Sequence, residues 1–133
     1  MNRAVNKQST STKEMGVVGL RAAVNIMEKW GATASQIERV LRISRSTHTR
    51  AKSPERVMSL DEDQLARISV VLNIHATLRT IFDNPDNVYG FPSMNNHNPF
   101  FDGRSPLEVM ALGSFIQLYE TFRRIDALRG AQW

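Results

Sequence analysis

TASQIERVLRISRSTHTRAK, residues 33–52, reads as a helix, a tight turn and a second helix. Thr33 or Ser35 can cap the first, because a side-chain oxygen at that position accepts from backbone N–H groups that a helix start leaves unpaired. Ile37, Val40 and Leu41 then share one face, and the pattern breaks between Arg42 and Ser44. The second helix starts from Ser44 or Arg45 and runs to about Lys52, before Ser53 and Pro54 stop it. Ile37 and Leu41 point inward, Ile43 plugs the turn, and Ala51 lets the second helix sit close. That spacing matches a helix-turn-helix, whose second helix lies in the major groove of DNA.

On this reading Arg45, Ser46, Thr47, Thr49 and Arg50 reach base edges. Arginine takes guanine in a bidentate manner, and serine or threonine serves either base type. Arg39, Arg42, Lys52 and Arg56 hold phosphates, which fixes register without reading sequence. Three positions depart from the usual pattern. Glu38 and Arg42 stand where alanine and glycine are favoured, and His48 stands where an apolar residue packs. Charge supports the motif independently: Ser35 to Arg56 holds six basic residues against two acids, so this one stretch carries the whole net charge of +4. A charge excess so confined makes a local positive field of the kind that binds phosphate.

Outward from the motif, Val17, Leu20, Val24 and Met27 form the apolar stripe of a preceding helix that ends near Trp30 and Gly31. Residues 1–14 are polar, without apolar period, and read as a disordered tail. Downstream, Ser59 with Glu62 reads as a capping box, so the next helix is expected from Leu60, with Leu65, Ile68 and Leu72 inward and a break near Asn73. Leu78, Ile81 and Phe82 continue the pattern to Asp83. Residues 84–102, rich in Asn, Pro, Gly and aromatics, read as a long loop, a kind that is usually functional or pinned by its own side chains. Ser105, Pro106 and Glu108 combine a capping serine, proline at the first helical position and a capping-box glutamate. Gly113 ends or kinks that helix. Ser114 and Gln117 open a final one, with Phe115, Leu118, Phe122, Ile125 and Leu128 on one face and a stop at Gly130.

Two stretches resemble a known family, the Xre/MbcA/ParS antitoxins that pair with RES-domain toxins. The first is Ser44-Arg45-Ser46-Thr47-His48-Thr49-Arg50 leading into Leu60-Asp61-Glu62-Asp63-Gln64-Leu65-Ala66-Arg67. The second is Asn98-Pro99-Phe100-Phe101-Asp102-Gly103-Arg104-Ser105-Pro106-Leu107-Glu108-Val109-Met110, followed by Gly113 and ending in Leu128-Arg129-Gly130. The second departs in one respect, since Gly90 and Phe91 follow Tyr89 where the family often has tryptophan and leucine. The resemblance implies an antitoxin with three regions: the tail 1–14, a DNA-binding region 15–83 and a toxin-binding module 84–133. It implies a cognate RES toxin that consumes NAD or ADP-ribosylates, operator DNA and a homodimer as partners. Toxin contacts are expected from Phe100, Phe101, Arg104, Arg123, Arg124, Arg129 and Trp133, the alternative for Trp133 being that it folds back onto the protein's own core. The alternative is a stand-alone dimeric helix-turn-helix transcriptional regulator.

The expected fold class is all-α, an N-terminal helix-turn-helix bundle followed by a small helical module. At 133 residues and 41% hydrophobic content, the chain can bury one core. It has no cysteine, which excludes disulfides, thiolate metal sites and a cysteine nucleophile. No segment approaches the roughly 20 apolar residues of a membrane span, and the N-terminus lacks the apolar run of a signal peptide, so a cytoplasmic protein is expected. His48, His75 and His97 stand in three contexts without a metal or phosphate motif. The expectation is no enzyme and no cofactor. Met15, Met27, Met58, Met94 and Met110 read as core filling.

Overall fold

The computed structural model describes residues 3–53 and 58–131, with side chains described from Lys13 to Ser53 and from Met58 to Gly130. Among the described residues seven α-helices follow one another: α1 Arg3–Lys29, α2 Ala34–Leu41, α3 Arg45–Ala51, α4 Glu62–Ile81, α5 Pro85–Gly90, α6 Pro106–Met110 and α7 Phe115–Ala131. A 3-10 turn, Phe91–Ser93, follows α5. There is no strand among the described residues, so the expected all-α class holds.

α1 buries Val17, Leu20, Val24 and Met27 as their spacing implies, together with Ala23 and Trp30. Its start differs from expectation, because the helix already runs from Arg3 through the stretch read as a tail. Neither proline nor glycine occurs before Gly16, so nothing in the sequence stops the helix from extending backward. α4 is the central helix, packed on α1, α2, α5 and α7. It therefore buries Ile68, Val70, Val71, Ile74, Thr77 and Leu78, a wider band than the narrow stripe expected, and it passes Asn73 unbroken. Its N-cap is Asp61, in a capping box with Gln64, two residues later than the Ser59 start. The acidic cap with its glutamine forms in place of the expected Ser59–Glu62 box.

The expected loop after residue 84 is partly helical. Asn84 accepts from the Asp86 N–H and Pro85 occupies the first turn, so α5 is capped as a proper helix start. The remainder is pinned by its own groups, as expected of an ordered long loop. Asn96 and Asn98 accept from the backbone N–H groups of Asn98 and Phe100, and Asn96 pairs its backbone with Gly103 and Arg104. Ser105 caps α6 in the expected box with Glu108. Ser114 accepts from the Gln117 N–H, and α7 runs through Gly130 instead of stopping there.

One hydrophobic core runs through both halves. Leu107, Met110, Leu118 and Ile125 of the C-terminal helices join the cluster formed by α1, α2 and α4. Met27, Met58 and Met110 fill it, whereas Met15 and Met94 are exposed, against the expectation for those two. None of the described helices is long and apolar enough to cross a membrane.

Candidate nucleic-acid interface

The helix-turn-helix forms within a residue of its expected bounds. Thr33 caps α2 in a box with Gln36, and Ser44 caps α3 by accepting from the Thr47 N–H. Ile37, Leu41, Ile43 and Ala51 are all buried, which fixes α3 against α2 and α1. Arg45, Ser46, Thr49 and Arg50 are exposed. At 3.6 residues per turn, they occupy an arc of about 140° on one side of α3. Thr47 is half-buried and tied to the cap, where its hydroxyl accepts from Ser44 at 3.0 Å. It sits at the rim of that surface.

The three departures from the motif have structural explanations. Two of them answer each other: His48 Nδ1 lies 2.6 Å from Glu38 Oε2, packed between α2 and α3 with side chains 12% and 21% exposed. The third, Arg42, takes the glycine position in the left-handed conformation, φ 56° and ψ 47°. A residue with a Cβ is disfavoured there. Its guanidinium is gripped by Asp61 and by Asp63, the latter at 2.5 Å. Hydrogen bonds from Arg42 hold both carboxyls below the usual aspartate range, with the Gln64 N–H adding to the effect at Asp61. The same bonds raise the Arg42 pKa further above its ordinary value.

These pairings divide the cations expected on DNA into paired and unpaired ones. Arg42 was expected on a phosphate, yet its charge is committed to the two aspartates at the start of α4. Lys52 was expected there as well, and its ammonium lies 2.5 Å from Glu28 of α1. Arg56 lies outside the described residues. Arg39, Arg45 and Arg50 are exposed and have no carboxylate within 4 Å among the described residues. Within the motif, the cations without a carboxylate partner among the described residues are thus those on α3 and the neighbouring Arg39.

Sequence reading missed two residues that hold α3 and its turn. Arg21 of α1 donates to the Ala51 carbonyl at 2.9 Å and the Ser53 carbonyl at 3.0 Å. This places a cation on the unpaired carbonyls that end α3. Arg67 of α4 is 6% exposed and donates to Asp63, to the Val40 carbonyl and to the Gly113 carbonyl. An arginine three residues past Gln64, on a helix otherwise lining the core, was the available signal.

In the C-terminal half the residues expected to touch a toxin divide. Phe101 is buried and meets Phe100 edge-on at 5.1 Å, so it supports the loop from inside. Arg104 donates to the Phe101 and Phe100 carbonyls at 2.9 and 3.2 Å and stiffens the same turn. Phe100 is half-exposed under the Arg124 guanidinium, 5.0 Å from its ring centre. Arg123 and Arg124 also approach Glu120, at 3.6 and 3.7 Å, and Arg129 pairs with Asp126 at 2.7 Å. Trp133 lies outside the described residues. Unexpected on this side is an apolar surface, since Leu112, Ile116 and Tyr119 are 48%, 73% and 44% exposed. Ile116 and Tyr119 stand three residues apart, a helical spacing that the inward stripe of α7 leaves unused.

His48, His75 and His97 stay apart. His75 stacks on Tyr89 at 5.3 Å, and burial, with Arg79 and Lys29 nearby, lowers its pKa. His97 is exposed in the loop. No group of three or more His, Asp or Glu that could hold a metal ion occurs among the described residues.

Comparison with known proteins agrees with this geometry. Residues 12–73 match the family described as the antitoxin Xre-like helix-turn-helix domain, a span that ends midway along α4. The chain is also similar to uncharacterized protein y4oB of Sinorhizobium fredii, at 30% identity over 112 residues, covering 84% of each.

Proposed function

We propose that this chain, which belongs to the same family as y4oB and carries an antitoxin Xre-like helix-turn-helix domain, represses its own operon and neutralises a cognate RES-domain toxin. The reading of DNA falls to α3. One observation carries it: Arg45 and Arg50 stand exposed on one side of a capped helix, without a carboxylate partner among the described residues, in the stretch that holds the net charge. Base contacts come from Arg45, Ser46, Thr49 and Arg50, with Thr47 at the rim and Arg39 on phosphate. A homodimer places two such helices one DNA turn apart, about 34 Å.

Toxin binding is assigned to the C-terminal half. Its support is the resemblance of residues 98–110 and Gly113 to the toxin-binding module, together with the exposed Leu112, Ile116 and Tyr119 and the half-exposed Phe100 under Arg124. Large apolar groups left in water on a folded surface mark interaction sites. The chain acts here as a blocker, and the NAD chemistry belongs to the toxin.

The test has two arms. Duplexes enriched from a random pool by the purified protein are compared with scrambled duplexes at one fixed salt concentration. Separately, the product of the adjacent reading frame is co-expressed, and growth, NAD level and co-purification are followed. Sequence-selective binding with rescue of growth is the expected result. Selective binding with no co-purifying protein supports the stand-alone dimeric regulator, whose specific support is that the exposed Leu112, Ile116 and Tyr119 face would equally serve a second copy.

A further inference from the structure

The turn that sets the angle of α3 is tied to the first turns of α4. Arg42 carries its guanidinium to Asp61 and Asp63, its carbonyl accepts from the Gln64 amide at 3.0 Å, and the Val40 carbonyl accepts from Arg67 at 3.2 Å. Val40 lies in the last turn of α2, where carbonyls lack helical partners and need an outside donor. Arg67 is also the point where this network leaves the helix-turn-helix. The same Nη1 that donates to Val40 donates at 2.9 Å to the carbonyl of Gly113, in the turn between α6 and α7. Its Nε is fixed on Asp63 at 2.9 Å, and Asp63 is shared with Arg42.

We infer that Arg67 is a positioning residue for DNA recognition, one that makes the setting of α3 depend on the conformation of the α6–α7 turn. This rests on the DNA-binding reading above. The argument is geometric. A buried guanidinium has a rigid planar fork, so its two carbonyl partners and its carboxylate cannot be satisfied independently. A shift of the Gly113 carbonyl must be followed by Arg67 or leave a buried donor unpaired, which is unfavourable. Either response reaches Val40 and, through Asp63, Arg42. Leu112 and Ile116, which flank Gly113 at one and three residues, are exposed. Any partner seated on them touches the turn directly, and linkage requires that DNA and such a partner then influence each other's affinity reciprocally.

Gly113 offers a clean probe. Its φ is +100°, a conformation disfavoured for a residue with a Cβ, yet an added Cβ meets nothing within 4 Å. Gly113→Ala therefore perturbs the backbone of the turn without a clash. Affinity for an enriched duplex and for a scrambled one is measured for the parent, Gly113→Ala, Arg67→Lys and the double variant, below the melting transition of each. Lysine keeps the charge beside Asp63 but lacks the second nitrogen, so it cannot hold Asp63 as Nε does and both carbonyls as Nη1 does at once. Gly113→Ala is expected to weaken selective binding about 2- to 30-fold in the parent background and to have little further effect beside Arg67→Lys. An unchanged affinity, or an equal loss in both backgrounds, overturns the inference.

Hydrogen exchange at the Arg42, Ile43 and Ser44 amides supplies a readout that needs neither DNA nor the lysine variant. Faster exchange there in Gly113→Ala is expected, while the Leu107 to Met110 amides serve as a local reference. Unaltered exchange in the helix-turn-helix turn overturns the coupling. Failure of the parent to discriminate any duplex overturns the DNA reading instead, and the exchange measurement still decides the coupling.

Discussion

His48 Nδ1 and Glu38 Oε2 meet at 2.6 Å across the interface of α2 and α3, where neither side chain is more than about a fifth exposed. Each of these residues alone is a poor choice for its position in a helix-turn-helix. Together they satisfy one another, and the pair replaces the apolar contact that usually fixes the two helices.

Removing one partner should therefore cost more than removing both. Glu38→Ala or His48→Ala leaves a half-buried polar group unpaired, and each is expected to lower unfolding stability by about 1–3 kcal/mol. The double change Glu38→Ala with His48→Leu restores an apolar contact and should recover most of that loss. Denaturant unfolding of the three variants measures it. A double variant as unstable as the sum of the singles would show that the pair is not the relevant contact.

Arg42 is the second place where a motif position is filled by an unusual residue with compensation. Arg42→Gly relieves the left-handed backbone but gives up the grip on Asp61 and Asp63, whereas Arg42→Ala loses the grip and keeps the strain. The melting temperature should fall further for alanine than for glycine. Acid separates them again. Because the folded-state pKa values of Asp61 and Asp63 are lowered, their contribution is present above the ordinary carboxylate value of 3.8 and is lost as pH falls through the lowered values. The parent should lose more stability than Arg42→Gly between about pH 5 and about pH 2. Parallel acid melting curves for the two proteins would contradict this.

Local signals carried most of the fold. Thr33, Ser44, Ser105 and Ser114 all cap where their spacing implied, because a cap depends on four consecutive residues. Helix-internal stripes were equally readable in α1 and α2. What escaped was set at long range. The pairing of Arg42 with Asp61 and Asp63 spans about twenty residues, and that of Lys52 with Glu28 spans 24. Both pair cations expected on phosphate with carboxylates of the same chain. The inward placement of Phe101 beside the outward placement of Phe100 depends on a loop held by Asn96, Asn98 and Arg104, which composition alone could not fold. α5 was missed for a local reason, since the loop-like composition around it masked the Asn84–Pro85 start.

The division between committed and open cations makes a graded forecast for DNA binding. Arg45→Ala and Arg50→Ala should each weaken binding by about 1–3 kcal/mol where a base contact is lost, and should relax discrimination at one position of the site. Lys52→Gln, which removes a charge already paired with Glu28, should weaken it much less. All three side chains are exposed, so melting curves should stay close to the parent. Titrations across a salt series check this. Equal losses for all three would show that α3 presents undirected charge and no reading surface.

The C-terminal half can be tested by setting a buried aromatic against an exposed aliphatic residue. Phe101 is 2% exposed, whereas Ile116 is 73% exposed. Phe101→Ala opens a cavity and should lower stability by about 3–5 kcal/mol, taking partner binding down with it. Ile116→Asp removes nothing from the core and should melt close to the parent. If Leu112, Ile116 and Tyr119 form the face that meets the toxin, a charge at its centre should abolish co-purification and growth rescue, because burying an unpaired carboxylate in an apolar contact is strongly unfavourable. Phe100→Ala tests a second candidate contact: it removes the ring under Arg124 while leaving Phe101 in place, and should give an intermediate loss. Full neutralisation by Ile116→Asp, with failure only in Phe101→Ala, would mean that the apolar face is not the contact, and would move the search to Arg104, Arg123 and Arg129.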